Sequence, residues 1–159
     1  MPTHYEPEIP PPLRMGLVQA DGNISRPWAT YFQQRAIHGV HIDIEGPIAV
    51  GNPDMTRPVA LVGGKLRFVT ANLRDAPSGG DAVIDVEKTE DGGITWVSVF
   101  RSGNAKKLTM PAGSSLPVTL QTFDSGAQNI IRDTLFRLNI LQIGSASPGS
   151  FLQVVVGWS

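Results

Sequence analysis

From Val40 onward, apolar residues recur at every second position. Val40, Ile42 and Ile44 alternate with His41, Asp43 and Glu45, the pattern of a strand with one buried and one wet face. The alternation returns in 65–74, where Leu66, Phe68, Thr70 and Asn72 oppose Arg67, Val69, Ala71 and Leu73. In 82–88 it directs Ala82, Ile84 and Val86 inward. In 135–142 it sets Leu135, Arg137, Asn139 and Leu141 against Phe136, Leu138, Ile140 and Gln142. Further strands are predicted over 95–100, 107–110, 115–123 and 151–158, and Pro58 makes 57–62 an edge-type segment. Turn chemistry separates these runs at Gly46-Pro47, Gly51-Asn52-Pro53-Asp54, 76–80, 124–126 and 145–149. Glu90-Asp91-Gly92-Gly93 reads as a hairpin turn that needs positive φ. About eight short strands in one unit fit an all-β, jelly-roll-like two-sheet β-sandwich over residues 40–159.

Ahead of that series the period is different. In 24–39, Trp28, Tyr31, Phe32 and Arg35 fall at i, i+3, i+4 and i+7 and share one face of a short amphipathic helix. Ser25 suits the N-cap, Pro27 is tolerated in the first turn, and Gly39 stands where a C-cap residue belongs. A helix of roughly 12 residues is marginal alone in water. Its aromatic stripe therefore needs a partner surface, either the chain's own β domain or a neighbouring subunit. Trp28, Tyr31, Phe32 and Arg35 are the candidate partner-docking residues. Residues 1–23 form an extended Pro-rich arm, with Pro2, Pro7, Pro10, Pro11 and Pro12 denying helix and ladder hydrogen bonds. The arm is either a floppy terminus or a segment that orders along another subunit.

Composition narrows the function classes. A chain of 159 residues that is 41% hydrophobic suits one globular domain with an appendage. Thirteen basic and fourteen acidic residues leave a net charge of −1, with no drive toward nucleic acid or an anionic membrane. The longest basic run is Lys106-Lys107. No cysteine is present, which excludes disulfides, thiolate chemistry and Cys-based zinc sites. No apolar run approaches the roughly 20 residues of a membrane helix, and the first residues lack a secretory-signal pattern.

Candidate chemistry is sparse. Asp85, Glu87, Glu90 and Asp91 resemble a calcium loop, but the EF-hand order lacks its glycine. Strand alternation instead puts Asp85 and Glu87 on the solvent face. His38 and His41 straddle Gly39, so they make no helical metal pair. No serine sits in G-x-S-x-G, and Gly63-Gly64-Lys65 lacks Walker spacing. The expectation is a non-enzymatic chain with no catalytic, cofactor-binding or metal site. Trp96 and Trp158 are the candidate ligand contacts, weighed against a place in the core or at a subunit interface, which large strand aromatics usually take.

Two stretches carry a family resemblance. One runs from Ala60-Leu61-Val62-Gly63-Gly64-Lys65 to Ala76-Pro77-Ser78-Gly79-Gly80-Asp81-Ala82-Val83-Ile84-Asp85-Val86, with Asp91-Gly92 at the turn that follows. The other is Leu138-Asn139-Ile140-Leu141-Gln142-Ile143-Gly144-Ser145, Pro148-Gly149-Ser150 and the final strand. Together they resemble a β-sandwich module of tailed-bacteriophage structural proteins. Ile24-Ser25-Arg26-Pro27-Trp28 through Gln33 also resembles the N-terminal segment of small phage tail and minor virion proteins. The resemblance implies a virion component (tail fibre, baseplate or decoration protein) that contacts other virion proteins and assembles as a homotrimer. It carries over no catalytic residue and no cofactor. The alternative reading is a carbohydrate-binding module for host-surface glycan.

Overall fold

The computed structural model describes residues 37–53, 57–102 and 106–159, with 37–159 forming one compact unit. Among the described residues, nine strands, all paired antiparallel, fall into two sheets, and no α-helix occurs. In chain order they are β1 (His38–Pro47), β2 (Gly64–Asp75), β3 (Ala82–Thr89), β4 (Val97–Ser98), β5 (Leu108–Met110), β6 (Val118–Leu120), β7 (Asn129–Ile130), β8 (Leu135–Gln142) and β9 (Ser150–Trp158). The larger sheet runs β1-β9-β2-β6, with β7 also pairing β2. The smaller is built on β3. Lys88 pairs with both Val97 and Phe136, and Ile84 with both Leu108 and Ile140. A strand has only two edges, so β8 lies along one edge of β3 while β4 and β5 share the other.

Alternation places the inward residues of β3 as the sequence predicts, and the same period sets those of β8 and β9. Ala82, Ile84 and Val86 of β3, Phe136, Leu138 and Ile140 of β8, and Leu152, Val154 and Val156 of β9 are buried in one apolar cluster drawn from both sheets. Trp158 stacks on Phe136 with ring centroids 5.8 Å apart, which ties the last strand of the large sheet to the small one. Burying a side chain such as Phe136 contributes roughly 1.5–3 kcal/mol. The free edge of β8 is met by Gly51 and by Pro58 and Val59: Ile140 donates to the Gly51 carbonyl and Phe136 to the Pro58 carbonyl, and Val59 bridges Leu135. The edge-type reading of 57–62 thus has a definite partner.

Three sequence expectations are corrected. His38 and Gly39 belong to β1 and face Trp158 and Gly157, so Gly39 does not end a helix; the remainder of the expected helix and the arm lie outside the described residues. In β2 the alternation read over 65–74 is not continuous. Leu66 pairs Trp158 and Phe68 pairs Gly157, leaving Arg67 as an extra residue. That bulge reverses the phase, so Leu66 is buried together with Val69, Ala71 and Leu73. Phe68 then lies on the outer face, directly over the bare Cα of Gly157. The third correction concerns Asp85 and Glu87. Their side chains do leave β3 opposite the core, but that face is not solvent: Asp85 is only 5% exposed and Glu87 half-buried.

Candidate functional site

The outer face of the small sheet is filled by charge. The Lys107 ammonium meets the Asp85 carboxylate at 2.8 Å, with both side chains buried. It also donates to the Ser98 hydroxyl at 2.5 Å, while that hydroxyl donates to Asp85 at 2.7 Å and accepts from the Phe100 amide at 3.1 Å. One pair further along β3, Arg137 donates to Glu87 at 2.6 Å and Asn139 donates to the other oxygen at 3.1 Å. Each charge therefore has a counter-charge and its remaining hydrogen bonds, the condition under which ions tolerate burial. No buried side-chain polar atom lacks a partner among the described residues. Ser98 beside Lys107 has the composition of a nucleophile and base, but its hydroxyl is already engaged by Asp85, Lys107 and the Phe100 amide. In the sequence Lys107 stands out only as half of the basic pair Lys106-Lys107. The register that sets Glu87 opposite Arg137 spans two distant strands and leaves no local signal.

The hairpin after β3 is locked by its own side chains. The Asp91 carboxylate accepts from the Thr89 hydroxyl at 2.6 Å and from the Ile94 and Thr95 amides at 3.0 and 2.9 Å. Those bonds, the Thr89 hydroxyl first and the Thr95 amide next, hold its carboxyl well below the usual aspartate value. Gly92 and Gly93 have φ of 74° and 98°, as the turn reading requires. Trp96 closes the loop by donating to the Gly93 carbonyl at 3.0 Å. The guanidinium carbons of Arg137 and Arg57 lie 4.2 and 5.4 Å from its ring centroid. Trp96 is thus a half-buried bracket between two arginines. Trp158 is 2% exposed and donates to the Val62 carbonyl at 3.0 Å, which puts it in the core and gives it no face for a ligand. Trp28, Tyr31, Phe32 and Arg35 lie outside the described residues.

The two loops that carry the resemblance meet at one end of the domain. Ser78 exchanges backbone hydrogen bonds with Ser147, Ala146 donates to the Ser78 carbonyl, and the Ser145 hydroxyl donates to the Gly79 carbonyl at 2.7 Å. Gly144 is required there: a Cβ would overlap the Ser147 carbonyl oxygen and come within 2.7 Å of the Ser78 nitrogen. Zipped together in this way, the loops fill the space between them.

The outer face of the large sheet is different. Asp43, Gln153 and Asn72 stand in one cross-strand row on β1, β9 and β2. Beside them lies an open groove of about 490 Å³ that also touches Glu45, Arg74, Ser115 and Phe151. The Arg74 guanidinium carbon sits 3.3 Å from the Phe151 ring centroid. Among the described residues no three His, Asp or Glu side chains converge as metal ligands. Comparison with protein-family models, with curated proteins and with solved structures yields no match.

Proposed function

We propose that this chain is a non-enzymatic structural component of a bacteriophage virion, a tail-fibre, baseplate or decoration module. It has a jelly-roll-like sandwich and joins the particle through its N-terminal segment, with Trp28, Tyr31, Phe32 and Arg35 as the docking side chains. Other virion proteins and two further copies of the chain are its partners. The observation that supports this reading best is the interlock of 76–81 with 145–150. The residues that carry the phage resemblance, Ser78, Gly79, Gly144, Ser145 and Gly149, are spent on holding two loops together. That is what a building module asks of its loops, whereas an enzyme uses loops of this kind to present reactive groups.

The test is localisation. Antibody labelling and electron microscopy of purified particles should find the chain at a fixed position, in a copy number divisible by three. Recovery only from the soluble fraction of the lysate would contradict the proposal. Trp28→Ala should lower incorporation by tenfold or more while the sandwich melts as before. Normal incorporation with early melting would instead place the aromatic segment on its own domain.

A further inference from the structure

We propose that the groove on the outer face of the large sheet is a shallow binding site for neutral oligosaccharides. This inference stands apart from the virion reading, since it rests only on β1, β9 and β2. Three observations carry it.

First, Asp43, Gln153 and Asn72 are direct register neighbours, so their side chains leave the sheet in a line. Adjacent strands lie about 4.8 Å apart, so the row spans about 10 Å, the reach of a pair of linked pyranose rings. None of the three makes a side-chain hydrogen bond within the described residues, in contrast to the paired groups on the other sheet. A carboxylate accepts, and an amide both donates and accepts. That mixture matches vicinal hydroxyls, which do both.

Second, the row is flanked by an aromatic ring in an unusual backbone setting. Phe151 has φ of 54°, a region that non-glycine residues rarely enter. Across from it, β1 carries two residues, Glu45 and Gly46, between the pairs Ile44–Leu152 and Pro47–Ser150. Gly46 has φ of 76°. Bulges of this kind re-aim a side chain and occur beside binding sites. Here the bulge accompanies a Phe151 ring that lines the groove, where Arg74 braces it. An apolar ring next to a line of hydrogen-bonding groups is the complement of a sugar, whose faces are apolar and whose rims are polar.

Third, charge selects among ligands. Asp43 and Glu45 contribute two carboxylates, and the Arg74 guanidinium lies 3.5 Å from the Asp75 carboxylate. This balance repels nucleic acid, sulfated glycans and sialic or uronic acids. An apolar peptide face would leave the polar row without hydrogen bonds.

The test is a nuclear magnetic resonance titration of the full chain with neutral trisaccharides built on glucose, galactose and N-acetylglucosamine. A sialylated trisaccharide serves as the charge control. The expected result is that at least one neutral sugar, at millimolar concentration, shifts amides around Asp43, Asn72 and Gln153 and leaves those around Trp96 in place. Phe151→Gly suits the positive φ and keeps the backbone, yet it should weaken binding about tenfold. Gln153→Ala, an exposed change that leaves the fold intact, should weaken it severalfold. No response to any neutral sugar, shifts centred on Trp96, a preference for the sialylated sugar, or unchanged affinity in both variants would each overturn the proposal.

Discussion

The two sheets present their outer faces in opposite ways. On the small sheet, Asp85 and Glu87 point away from the core and are met by Lys107, Ser98, Arg137 and Asn139. On the large sheet, Asp43, Gln153 and Asn72 point away from the core, and no side-chain partner meets them among the described residues. Both faces arise from the same period-two pattern. The difference lies in what meets them: Trp96, Ser98 and Lys107 pack on the small sheet, whereas among the described residues the centre of the large sheet stays open as a groove. Alternation thus fixes which side chains leave the core. The long-range path of the connections decides whether those side chains become a second, polar interior or a surface.

The largest expected effect comes from removing one charge of the covered face. Lys107→Ala leaves Asp85 buried without its counter-ion and should lower the unfolding free energy by about 3–5 kcal/mol, read from urea denaturation. Asp43→Ala on the open face should change it by no more than about 0.5 kcal/mol. Equal losses would erase the distinction between the faces. A smaller effect is expected where the loops interlock. Gly144→Ala forces a Cβ against backbone atoms of Ser78 and Ser147, which cannot rotate aside. It should cost about 1–3 kcal/mol, and a neutral result would mean the two loops separate easily.

The smallest effect concerns pH and the hairpin. The Asp91 carboxyl is held below its ordinary value of 3.8 by the Thr89 hydroxyl and the Thr95 amide. A depressed folded pKa adds stability that is complete above the unfolded value and is lost as pH falls toward the folded one. Asp91→Asn should therefore be less stable than the parent above pH 3.8, and the gap between their urea midpoints should narrow below it. A gap independent of pH would show that the carboxylate charge is not what locks the turn.

Much of the fold was legible. The inward residues of β3 follow from alternation, and the positive φ of Gly92 and Gly93 follows from their place in a hairpin. The turn at Gly46 was legible as a break, though its identity as a bulge opposite Phe151 was not. The phase reversal at Arg67 was hidden because a bulge is defined by the partner strand, and nothing near Arg67 names β9. Gly39 suited a helix C-cap by type, but its pairing with Gly157 is set by the far end of the chain. The site was less legible than the fold. Trp96 and Trp158 attract attention as large aromatics, yet one is braced by arginines and the other is core. The groove is built from Asp43, Asn72 and Gln153, ordinary surface residues that acquire meaning only when three strands bring them into one row.

The contrast between the faces can be measured directly with two double-mutant cycles on the full chain. The cycle Asp85→Ala with Lys107→Ala should give a coupling energy of about 2–3 kcal/mol, and the cycle Asp43→Ala with Gln153→Ala should stay below about 0.5 kcal/mol. Comparable couplings in the two cycles, or a larger one for Asp43 and Gln153, would contradict the account of one face closed on itself and the other left open.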